Sequence, residues 1–433
     1  MAAGESVNGL ERAQASTAKI ALASLIGTAI EFYDFYIFGT AAALVFGPMF
    51  FPKSAPATQT LSAYVTFGIA FLARPLGSFL FGHFGDRVGR KSTLVATMLT
   101  MGLATTLIGV LPSYATAGVL APLMLGALRF LQGIGLGGEW GGAALIAIEN
   151  APRGRRAWFG MFPQLGPPVG FFIATALFLA LLLGFGEPAF VAWGWRVPFL
   201  MSAVLVAIGL YVRVSLEETP AFRSALAENR RVAAPLKTVI RDHWKPLIQG
   251  ALAIVVCYAL FYIATVYTLG YGVTALGIPR TTFLVMLCIG VLAMGVATPL
   301  SAALADTYGR RPVLMASALI AILVGLAMPS LLASGHGGVL TFLVVALGAM
   351  GLTFAPLGAL LPELFPVPVR YTGAASAYNL GGILGASFAP SLAQVLERAG
   401  GVAWVGYYIA AAGAISFLAV FTIRETRQDH AGI

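Results

Sequence analysis

Long apolar runs, separated by short polar breaks, fill almost the whole chain. A run of about 20 apolar residues is long enough to cross a bilayer core as a helix. Six such runs come before a polar stretch at 215–245, and six come after it. The predicted spans are 19–47, 57–81, 91–111, 117–147, 157–184, 190–214, 246–272, 281–304, 311–332, 338–361, 370–397 and 402–424. The pattern therefore predicts an all-α membrane protein with twelve transmembrane helices in two groups of six.

The composition agrees with this pattern and narrows the chemistry. Hydrophobic residues make up 59% of the chain and charged residues only 10%, which is too little charge for the surface of a soluble protein of this length. Cys257 and Cys288 lie inside apolar runs without the spacing of metal ligands. The loops hold no carboxylate pair, catalytic triad or metal cluster. We therefore expect a protein that is not an enzyme and that holds no metal or organic cofactor.

The lysines and arginines are distributed unevenly along the predicted spans and loops. Of the 26, twenty fall in segments on one side of the membrane, and two, Arg74 and Arg129, fall inside spans. The opposite side holds Lys53, Arg196, Arg280 and Arg398. The positive-inside rule then predicts that both termini are cytoplasmic. Since this bias accounts for the net charge of +9, we expect no nucleic-acid partner.

These spans divide the chain into five segments. A cytoplasmic tail at 1–18 precedes a six-helix bundle at 19–214, a cytoplasmic connector at 215–245, a second six-helix bundle at 246–424 and a short tail at 425–433. Late in the connector, apolar residues recur at helical spacing with cations beside them. The apolar residues are Leu236, Val239, Ile240 and Trp244, and the cations are Lys237, Arg241 and Lys245. This pattern predicts a helix on the inner membrane face, with a flexible tether as the alternative.

A charged, glycine-rich stretch occurs twice, at 82–91 and at 305–311, each time between the second and third spans of its half. In both copies an Asp precedes a Gly by three residues, and two cations follow that Gly. The first copy holds Gly82, Asp86, Arg87, Gly89, Arg90 and Lys91, and the second holds Asp306, Gly309, Arg310 and Arg311. A repeat at the same topological position indicates a duplicated membrane domain.

Ionisable residues inside spans are candidates for function, because each costs about 2.5–3.5 kcal/mol to insert at mid-membrane. Glu31 and Asp34 are three residues apart, so they share one face of the first span. Arg129 lies at a similar depth in the fourth span, with Gln132 close by. The matched depth predicts a possible Asp34–Arg129 ion pair, either as a moving part or as a static strut.

Three further groups of residues are candidates with weaker signals. Tyr258 and Tyr262 in the seventh span and Asn379 in the eleventh could line a cavity, although packing alone also explains an aromatic stripe. Glu149, at the inner end of the fourth span, could meet loop arginines or lie at the surface. The Gly- and Pro-rich stretch 166–170 predicts a kink in the fifth span.

Several of these motifs resemble those of the major facilitator superfamily. The stretch 82–91 resembles its inner-loop signature, and Arg-Phe-Leu-Gln-Gly at 129–133 resembles its fourth-helix motif. More specifically, several motifs resemble the metabolite:proton symporter family, whose members carry shikimate, α-ketoglutarate, citrate, proline or betaine. They are Glu-Phe-Tyr-Asp-Phe-Tyr at 31–36, Ala-Arg-Pro-Leu-Gly at 73–77, Gly-Gly-Glu-Trp-Gly-Gly at 137–142, Leu-Glu-Glu-Thr-Pro at 216–220, Glu-Leu-Phe-Pro at 363–366 and Arg-Tyr-Thr-Gly at 370–373. The resemblance extends from about residue 20 to 424.

The sequence also departs from the family pattern. The second loop copy has Ala302 and Thr307 where the first has Gly82 and Arg87. The tail after residue 424 is too short for the coiled-coil extension of osmosensing betaine carriers. The stretch 166–170 partly resembles a motif of proton-coupled efflux carriers, which leaves the direction of transport open.

The resemblance implies two six-helix bundles around a central cavity, alternating between inward-open and outward-open states in a bacterial cytoplasmic membrane. It implies that Asp86 meets the start of span eleven, near Thr372 and Gly373, and that Asp306 faces span five. Glu363 and Arg370 belong to the same group of conformational residues. A carboxylate at a helix N-terminus gains roughly 0.3–1 kcal/mol, enough to bias two states without locking them. We expect a functional monomer.

The leading functional hypothesis is proton-coupled uptake of a small carboxylate-bearing metabolite. It depends on Arg74 and Arg129, because a buried guanidinium can bind a carboxylate through two hydrogen bonds. Tyr33, Gln132, Tyr258, Tyr262 and Asn379 complete the candidate substrate site. Zwitterionic osmolytes come second, since an aromatic stripe can hold a quaternary ammonium. Proton-driven efflux is third, and a membrane sensor without transport is last.

The proton is assigned to Asp34, with Glu31 as the second candidate. Burial raises the pKa of a carboxyl group and a nearby guanidinium lowers it, so a buried Asp beside an Arg can change protonation as the pair opens and closes. In the expected cycle, an external proton neutralises Asp34 and frees Arg129 for the substrate. Release of both on the inside restores the pair.

Overall fold

The computed structural model describes residue 22 and residues 24–88, 90–137, 151, 154–214, 235–366 and 369–427. Within these ranges the side chains of 82–92, 94, 212–214 and 235 are left out of the description. The predicted helix start at 216–220 therefore lies outside the described residues, as do Gly89 and Glu149.

All regular secondary structure in the described part of the chain is helical, without strands. In the first half the helices are α1 (Ser24–Phe50), α2 (Pro56–Val88), α3 (Arg90–Ile108), α4 (Leu120–Gly137), α5 (Arg156–Ala192) and α6 (Val197–Val214). In the second half they are α7 (Pro235–Asp242), α8 (Trp244–Thr274), α9 (Arg280–Tyr308), α10 (Arg310–Ala333), α11 (Gly335–Glu363), α12 (Arg370–Gly382), α13 (Ala389–Gly400) and α14 (Val402–Thr422). Wider π-helical turns lie in α1 at Ala42–Phe46, in α8 at Ile263–Tyr267 and between α12 and α13 at Ile383–Ser387.

Ten of the described helices are long and apolar enough to cross a membrane. The other two predicted spans are α3, whose apolar part runs from Val95 to Ile108, and the α12–α13 pair, which the π-helical turn joins. The protein is therefore an all-α, multi-pass membrane protein with twelve membrane helices, as the apolar runs predicted. The connections α2–α3 and α9–α10 mark one end of the bundle. We name it the inner end, after the orientation predicted from the cations, and the opposite end the outer end.

The fifth helix differs from its prediction in two ways. The backbone of α5 keeps helical dihedral angles through Pro167 and Pro168, so the helix has no break at the predicted kink, 166–170. The only non-helical residue inside α5 is Gly186, with φ of 76°. This left-handed conformation suits glycine, which has no Cβ to clash. The chain bends there, at the outer end, rather than in the middle of the membrane.

The two halves repeat the same helix neighbours. In the first half α2 packs on α4, α3 on α6 and α3 on α4, and in the second half α9 packs on α11, α10 on α14 and α10 on α11. These pairs correspond one to one when the first span of each half is aligned. Between the halves, α5 packs on α9 and α11, while α2 packs on α12 and the turn that follows it. The architecture is thus two pseudo-symmetric six-helix bundles in contact along two seams.

The contact between α2 and α4 is unusually close because glycines face backbone. A Cβ on Gly133 would collide with the main chain of Ala70, and one on Gly137 with the main chain of Arg74. Small residues allow such approach between membrane helices. The close contact brings Arg74 of α2 and Arg129 of α4 to the same group of aromatic rings, which matters for the site described below.

We predict that Gly133→Ala destabilises the protein, because the added methyl group must push α2 away from α4. Overpacking of this kind costs about 1–3 kcal/mol. Gly126→Ala in the same helix is the matched control, since its nearest neighbour would be the Ile69 Cδ1 atom at 3.6 Å. Thermal unfolding of the two purified variants in detergent should show a lower Tm for Gly133→Ala alone. Equal Tm values would contradict the close contact.

Candidate functional site

Aromatic side chains from both halves meet in the middle of the bundle. This central aromatic cluster consists of Phe35, Tyr36, Phe67, Phe71, Phe171, Tyr258, Phe261, Tyr262 and Tyr378. Ring centroids lie 5.1 Å apart for Phe35–Phe71 and 5.4 Å apart for Phe71–Tyr262. Such edge-on and tilted contacts favour association of aromatic rings beyond their area burial. The cluster closes the space between the halves at mid-membrane.

Arg74 lies within this cluster and is 2% exposed. Its guanidinium carbon is 4.7 Å from the ring centre of Phe35 and 4.3 Å from that of Phe71. Within the described residues Arg74 has no acidic partner, and its buried Nε and Nη2 atoms donate to no acceptor. Arg74 thus contacts aromatic rings and keeps two unused hydrogen-bond donors. Arg74 can therefore accept an anionic ligand.

Arg129 is fully buried beside the same rings. Its guanidinium carbon is 4.2 Å from the ring centres of both Phe35 and Phe38. Its Nε donates to the Phe67 carbonyl at 3.3 Å and its Nη1 donates to Gln132 Oε1. The Nη2 atom has no acceptor in the described part of the chain. Arg129 is thus held more firmly than Arg74, by main chain and amide as well as by rings.

The predicted Asp34–Arg129 ion pair is wrong for this conformation. Among the described residues no ion pair joins the two. The Asp34 side chain points to α6, where its Oδ1 accepts a 2.6 Å hydrogen bond from the Ser202 hydroxyl. Phe35 and Phe38 cover the Arg129 guanidinium, and Gln132 links the two regions by donating to the Asp34 main-chain oxygen at 2.8 Å. Asp34 and Arg129 therefore lie at a similar depth, but their side chains point to different neighbours.

A small cavity of about 10 Å³ lies between the halves, next to the aromatic cluster. It is lined by Thr28, Glu31, Phe32, Arg74, Leu136, Pro163, Tyr378 and Asn379. The first six belong to the first half and the last two to α12 of the second half. This volume holds about one water, so a metabolite can enter only after the halves separate. The cavity brings together three predicted site residues, Glu31, Arg74 and Asn379.

Three other predicted substrate residues lie around this cavity, and a fourth lies away from it. Tyr258 and Tyr262 are buried in the cluster and stack with ring centres 6.3 Å apart and an interplanar angle of 12°. Asn379 donates to the Ser78 hydroxyl at 2.9 Å, across the seam between the halves. Tyr33 instead points to α6, where its hydroxyl donates to the Pro198 carbonyl at 2.9 Å. Its position is that of a packing residue within the first bundle.

At the inner end, Asp306 caps the beginning of α5. Its carboxylate accepts hydrogen bonds from the main-chain N–H groups of Ala157 at 3.0 Å and Trp158 at 2.9 Å. This is the contact with span five that the family resemblance implied. It joins the second half to the first at a helix N-terminus, where a carboxylate is favourable.

A charged network extends from Asp306 into the second half. The Arg310 guanidinium lies 3.4 Å from Asp306 and 3.3 Å from Glu363. Glu425, which the sequence placed in the tail, caps the start of α10 by accepting from the N–H groups of Arg310 at 3.0 Å and Arg311 at 2.9 Å. The sequence shows no sign of this cap, because it joins residues more than a hundred positions apart.

The remaining predicted loop residues are described only in part. Gly82, Asp86 and Arg87 lie in the last turns of α2, and Arg90 and Lys91 begin α3, without side-chain description. The predicted contact of Asp86 with span eleven is therefore outside the described side chains. Gly309 links α9 to α10 with a positive φ of 108°, and Arg370 Nε donates to the Phe365 carbonyl at 3.2 Å.

The halves are also joined at the outer end, by residues that the sequence did not single out as a pair. Arg280 forms an ion pair with Glu187 and donates to the Leu44 carbonyl at 3.3 Å. The Tyr64 hydroxyl donates to the Val266 carbonyl at 3.1 Å. Within the described residues the two halves therefore touch at the inner end, at the aromatic centre and at the outer end.

Comparisons with known proteins fit this architecture. The family model described as "Sugar (and other) transporter" matches residues 19–245, and the model described as "Major Facilitator Superfamily" matches 273–432. Among solved structures, the xylose transporter XylE from E. coli, in a partially occluded inward-open conformation, aligns with a TM-score of 0.75. That alignment covers 95% of this chain and 98% of that chain at 15% identity, so it shows the fold alone.

Curated relatives are similar over nearly the whole chain. The inner membrane metabolite transport protein YhjE of Escherichia coli is 52% identical, with 95% of each chain covered. The shikimate transporter of Escherichia coli is 37% identical, also with 95% of each chain covered. The proline/betaine transporter of the same organism is 30% identical and covers 94% of this chain and 83% of its own. The chain therefore belongs to the major facilitator superfamily, in the branch that contains these metabolite, shikimate and proline/betaine transporters.

Proposed function

We propose that this transporter couples inward proton movement to the uptake of a small carboxylate-bearing metabolite by alternating access. One observation carries the substrate class: Arg74 is buried at the central cavity with donors that reach no acceptor in the described residues. A guanidinium presents two parallel donors that match the two oxygens of a carboxylate. A bound carboxylate would satisfy these donors and balance the buried charge.

The energetics favour a ligand at this position over an empty site. Removing an ion from water costs several kcal/mol even after relaxation, whereas a desolvated cation–π contact returns about 2 kcal/mol. Two rings therefore offset only part of the cost for Arg74. A substrate carboxylate would offset more of this desolvation cost. Binding of an anion beside Arg74 is therefore energetically favourable.

A zwitterionic osmolyte is the second candidate substrate. Tyr258 and Tyr262 present stacked rings in the cluster, and aromatic faces can hold a quaternary ammonium. A relative that is 30% identical is named as a proline/betaine transporter. Arg74 would bind the carboxylate of such a ligand as well, so the two candidates differ only in what occupies the aromatic side. Efflux is the third candidate, since alternating access works in either direction.

For the proton we place Glu31 ahead of Asp34. Glu31 lines the same cavity as Arg74, so its charge acts directly on a ligand bound there. The Asp34 side chain faces Ser202 inside the first bundle. Asp34 does not line the cavity and could act on it only by moving α1. A proton on Glu31 would lower the negative charge beside an incoming anion, and its loss on the inner side would favour release of the substrate.

We further propose that the protein acts as a monomer in a bacterial inner membrane with both termini in the cytoplasm. Support comes from the cation distribution and from the 52% identical relative named as an inner membrane protein. The proposal requires no enzyme activity, metal, organic cofactor or nucleic acid; the partners are the substrate, the proton and the lipid bilayer. Reporter fusions at each terminus that responded on the outer side would contradict the orientation.

The substrate class can be tested with purified protein in liposomes. We expect an inward proton gradient to drive uptake of labelled small carboxylates, and we expect betaine and proline to move more slowly. Hydrophobic cations serve as the efflux probe. Transport of hydrophobic cations alone, outward against the proton gradient, would overturn the uptake proposal. Fast uptake of betaine, with no uptake of carboxylates that have a net negative charge, would select the second candidate.

The same liposomes test the role of Arg74. Hydrogen bonds to charged groups contribute about 1.5–3 kcal/mol, so Arg74→Gln should raise the KM for the carboxylate by about 10- to 150-fold. Arg74→Lys keeps the charge but not the paired donors and should lie in between. The exposed Arg398→Gln at the end of α13 is the control. An unchanged KM in Arg74→Gln, with normal Tm, would remove Arg74 from the substrate site.

The proton assignment predicts different behaviour for two neutral variants. Glu31→Gln should lose accumulation driven by an inward proton gradient but keep exchange of labelled for unlabelled substrate, because the uncharged amide mimics the protonated acid. Asp34→Asn should keep gradient-driven accumulation. The reverse result would assign the proton to Asp34. Gradient-driven accumulation by both variants would show that neither Glu31 nor Asp34 couples transport to the proton.

The cap at α5 predicts a conformational effect for Asp306→Asn. A carboxylate at a helix N-terminus contributes about 0.3–1 kcal/mol, and up to about 2 kcal/mol when partly buried. The variant should therefore shift the population toward the inward-open state by about 2- to 30-fold. Labelling of Asn379→Cys by an impermeant reagent from the inner side, in a background without Cys257 and Cys288, measures this shift. Asp242→Asn, on the exposed surface of α7, is the control.

If labelling from the inner side is the same for Asp306→Asn and for its control, the cap does not hold the two halves together. Substrate exchange by Asp306→Asn with Asn379 intact separates this outcome from misfolding, because a misfolded variant would not exchange substrate.

A further inference from the structure

The short helix α7 directly precedes a membrane helix and leaves an unusual surface uncovered. It runs from Pro235 to Asp242, and one residue, His243, separates it from the membrane helix α8. Val239 is fully buried and fixes the rotation of α7 against its two neighbours, α8 and α12. Because α8 enters the membrane at once, α7 lies at the level of the lipid headgroups.

The uncovered surface of α7 is apolar on one side. Leu236 is 40% exposed, Ile240 57% and Trp244, at the start of α8, 54%. Leu236 and Ile240 are four residues apart and so share one face of the helix. No described element covers these three side chains. In water such a surface would be unfavourable, whereas at a membrane interface Trp and aliphatic residues enter the headgroup–acyl boundary.

Cations lie immediately beside this apolar face. Lys237 and Arg241 each follow an exposed apolar residue by one position, and they are four apart, so they form a parallel row. Lys245 lies at the start of α8, beyond the non-helical His243, with its Nζ 5.7 Å from the Trp244 ring centre. The one acid in α7 is Asp242, whose Oδ1 lies 3.6 Å from Arg241 Nε. Both of these side chains are exposed, so the pair is screened by water and leaves the row positive overall.

We propose that this surface is a binding site for anionic phospholipids. Lys237 and Arg241 of α7 and Lys245 at the start of α8 bind lipid phosphates, while Leu236, Ile240 and Trp244 enter the acyl boundary beneath them. Juxtamembrane cations attract anionic lipid in this way, and neutral lipid offers the apolar contact without net charge. The site is at the junction between the two halves of the chain, and it is independent of the substrate proposed above.

The binding site can be tested by quenching of tryptophan fluorescence with brominated lipids. The Trp244 signal is the difference between the full-length protein and its Trp244→Phe variant, so the other tryptophans cancel. In membranes of phosphatidylcholine with a minor fraction of brominated phosphatidylglycerol, we expect stronger quenching of this signal than with the same fraction of brominated phosphatidylcholine. The preference should fall as salt is raised.

The double variant Lys237→Gln/Arg241→Gln tests the cations. It should lower the apparent affinity for phosphatidylglycerol by about 10- to 30-fold, as expected for two juxtamembrane cations. The double variant Lys53→Gln/Arg398→Gln, which removes two cations at the outer end, is the control and should bind as the unmodified protein does. Because these side chains are exposed, neither variant should change the Tm.

Each of the other outcomes overturns the proposal. Equal quenching by brominated phosphatidylcholine and phosphatidylglycerol means that α7 touches the membrane without selecting anionic lipid. Absence of quenching by either lipid means that the apolar face does not contact the membrane. Unchanged affinity in Lys237→Gln/Arg241→Gln means that the row of cations does not contact the lipid.

Discussion

The burial of two guanidinium groups among aromatic rings is the constraint on which the centre of this transporter depends. Arg74 and Arg129 come from different helices but lie over the same ring, that of Phe35. Neither has a carboxylate partner in the described residues. Aromatic faces must therefore supply much of the electrostatic support for both cations. The glycine contact between α2 and α4 is a precondition, because only a close approach brings both side chains to one ring.

The helical framework could be predicted from the sequence almost completely. Apolar runs report the membrane directly, so the observed α8–α11 begin and end within a few residues of the predicted spans. The fifth helix was harder, because prolines suggested a kink at 166–170, where the backbone keeps helical dihedral angles. A glycine with positive φ further along, Gly186, bends the chain instead, and the sequence offers no local sign that distinguishes it from other glycines.

The site was predicted only in part, because a linear pattern shows depth but not direction. Glu31, Arg74 and Asn379 meet at one cavity, and Asp306 caps α5. Asp34 was assigned to Arg129 by depth, but its side chain faces Ser202, which no motif pointed out. Glu425 caps α10 from beyond the last membrane helix. Such contacts depend on helix rotation and on the return of distant segments, neither of which leaves a periodic signal.

The closed centre has a consequence for how tightly a substrate appears to bind. Only molecules whose halves have separated can accept one, so the apparent Kd is the intrinsic Kd divided by the fraction of open molecules. Contacts far from the cavity, such as Arg280–Glu187 at the outer end, enter that fraction directly. Substitutions at such contacts could thus shift the apparent affinity several-fold, since a partly exposed ion pair contributes about 0–1 kcal/mol, while leaving the chemistry of the cavity untouched.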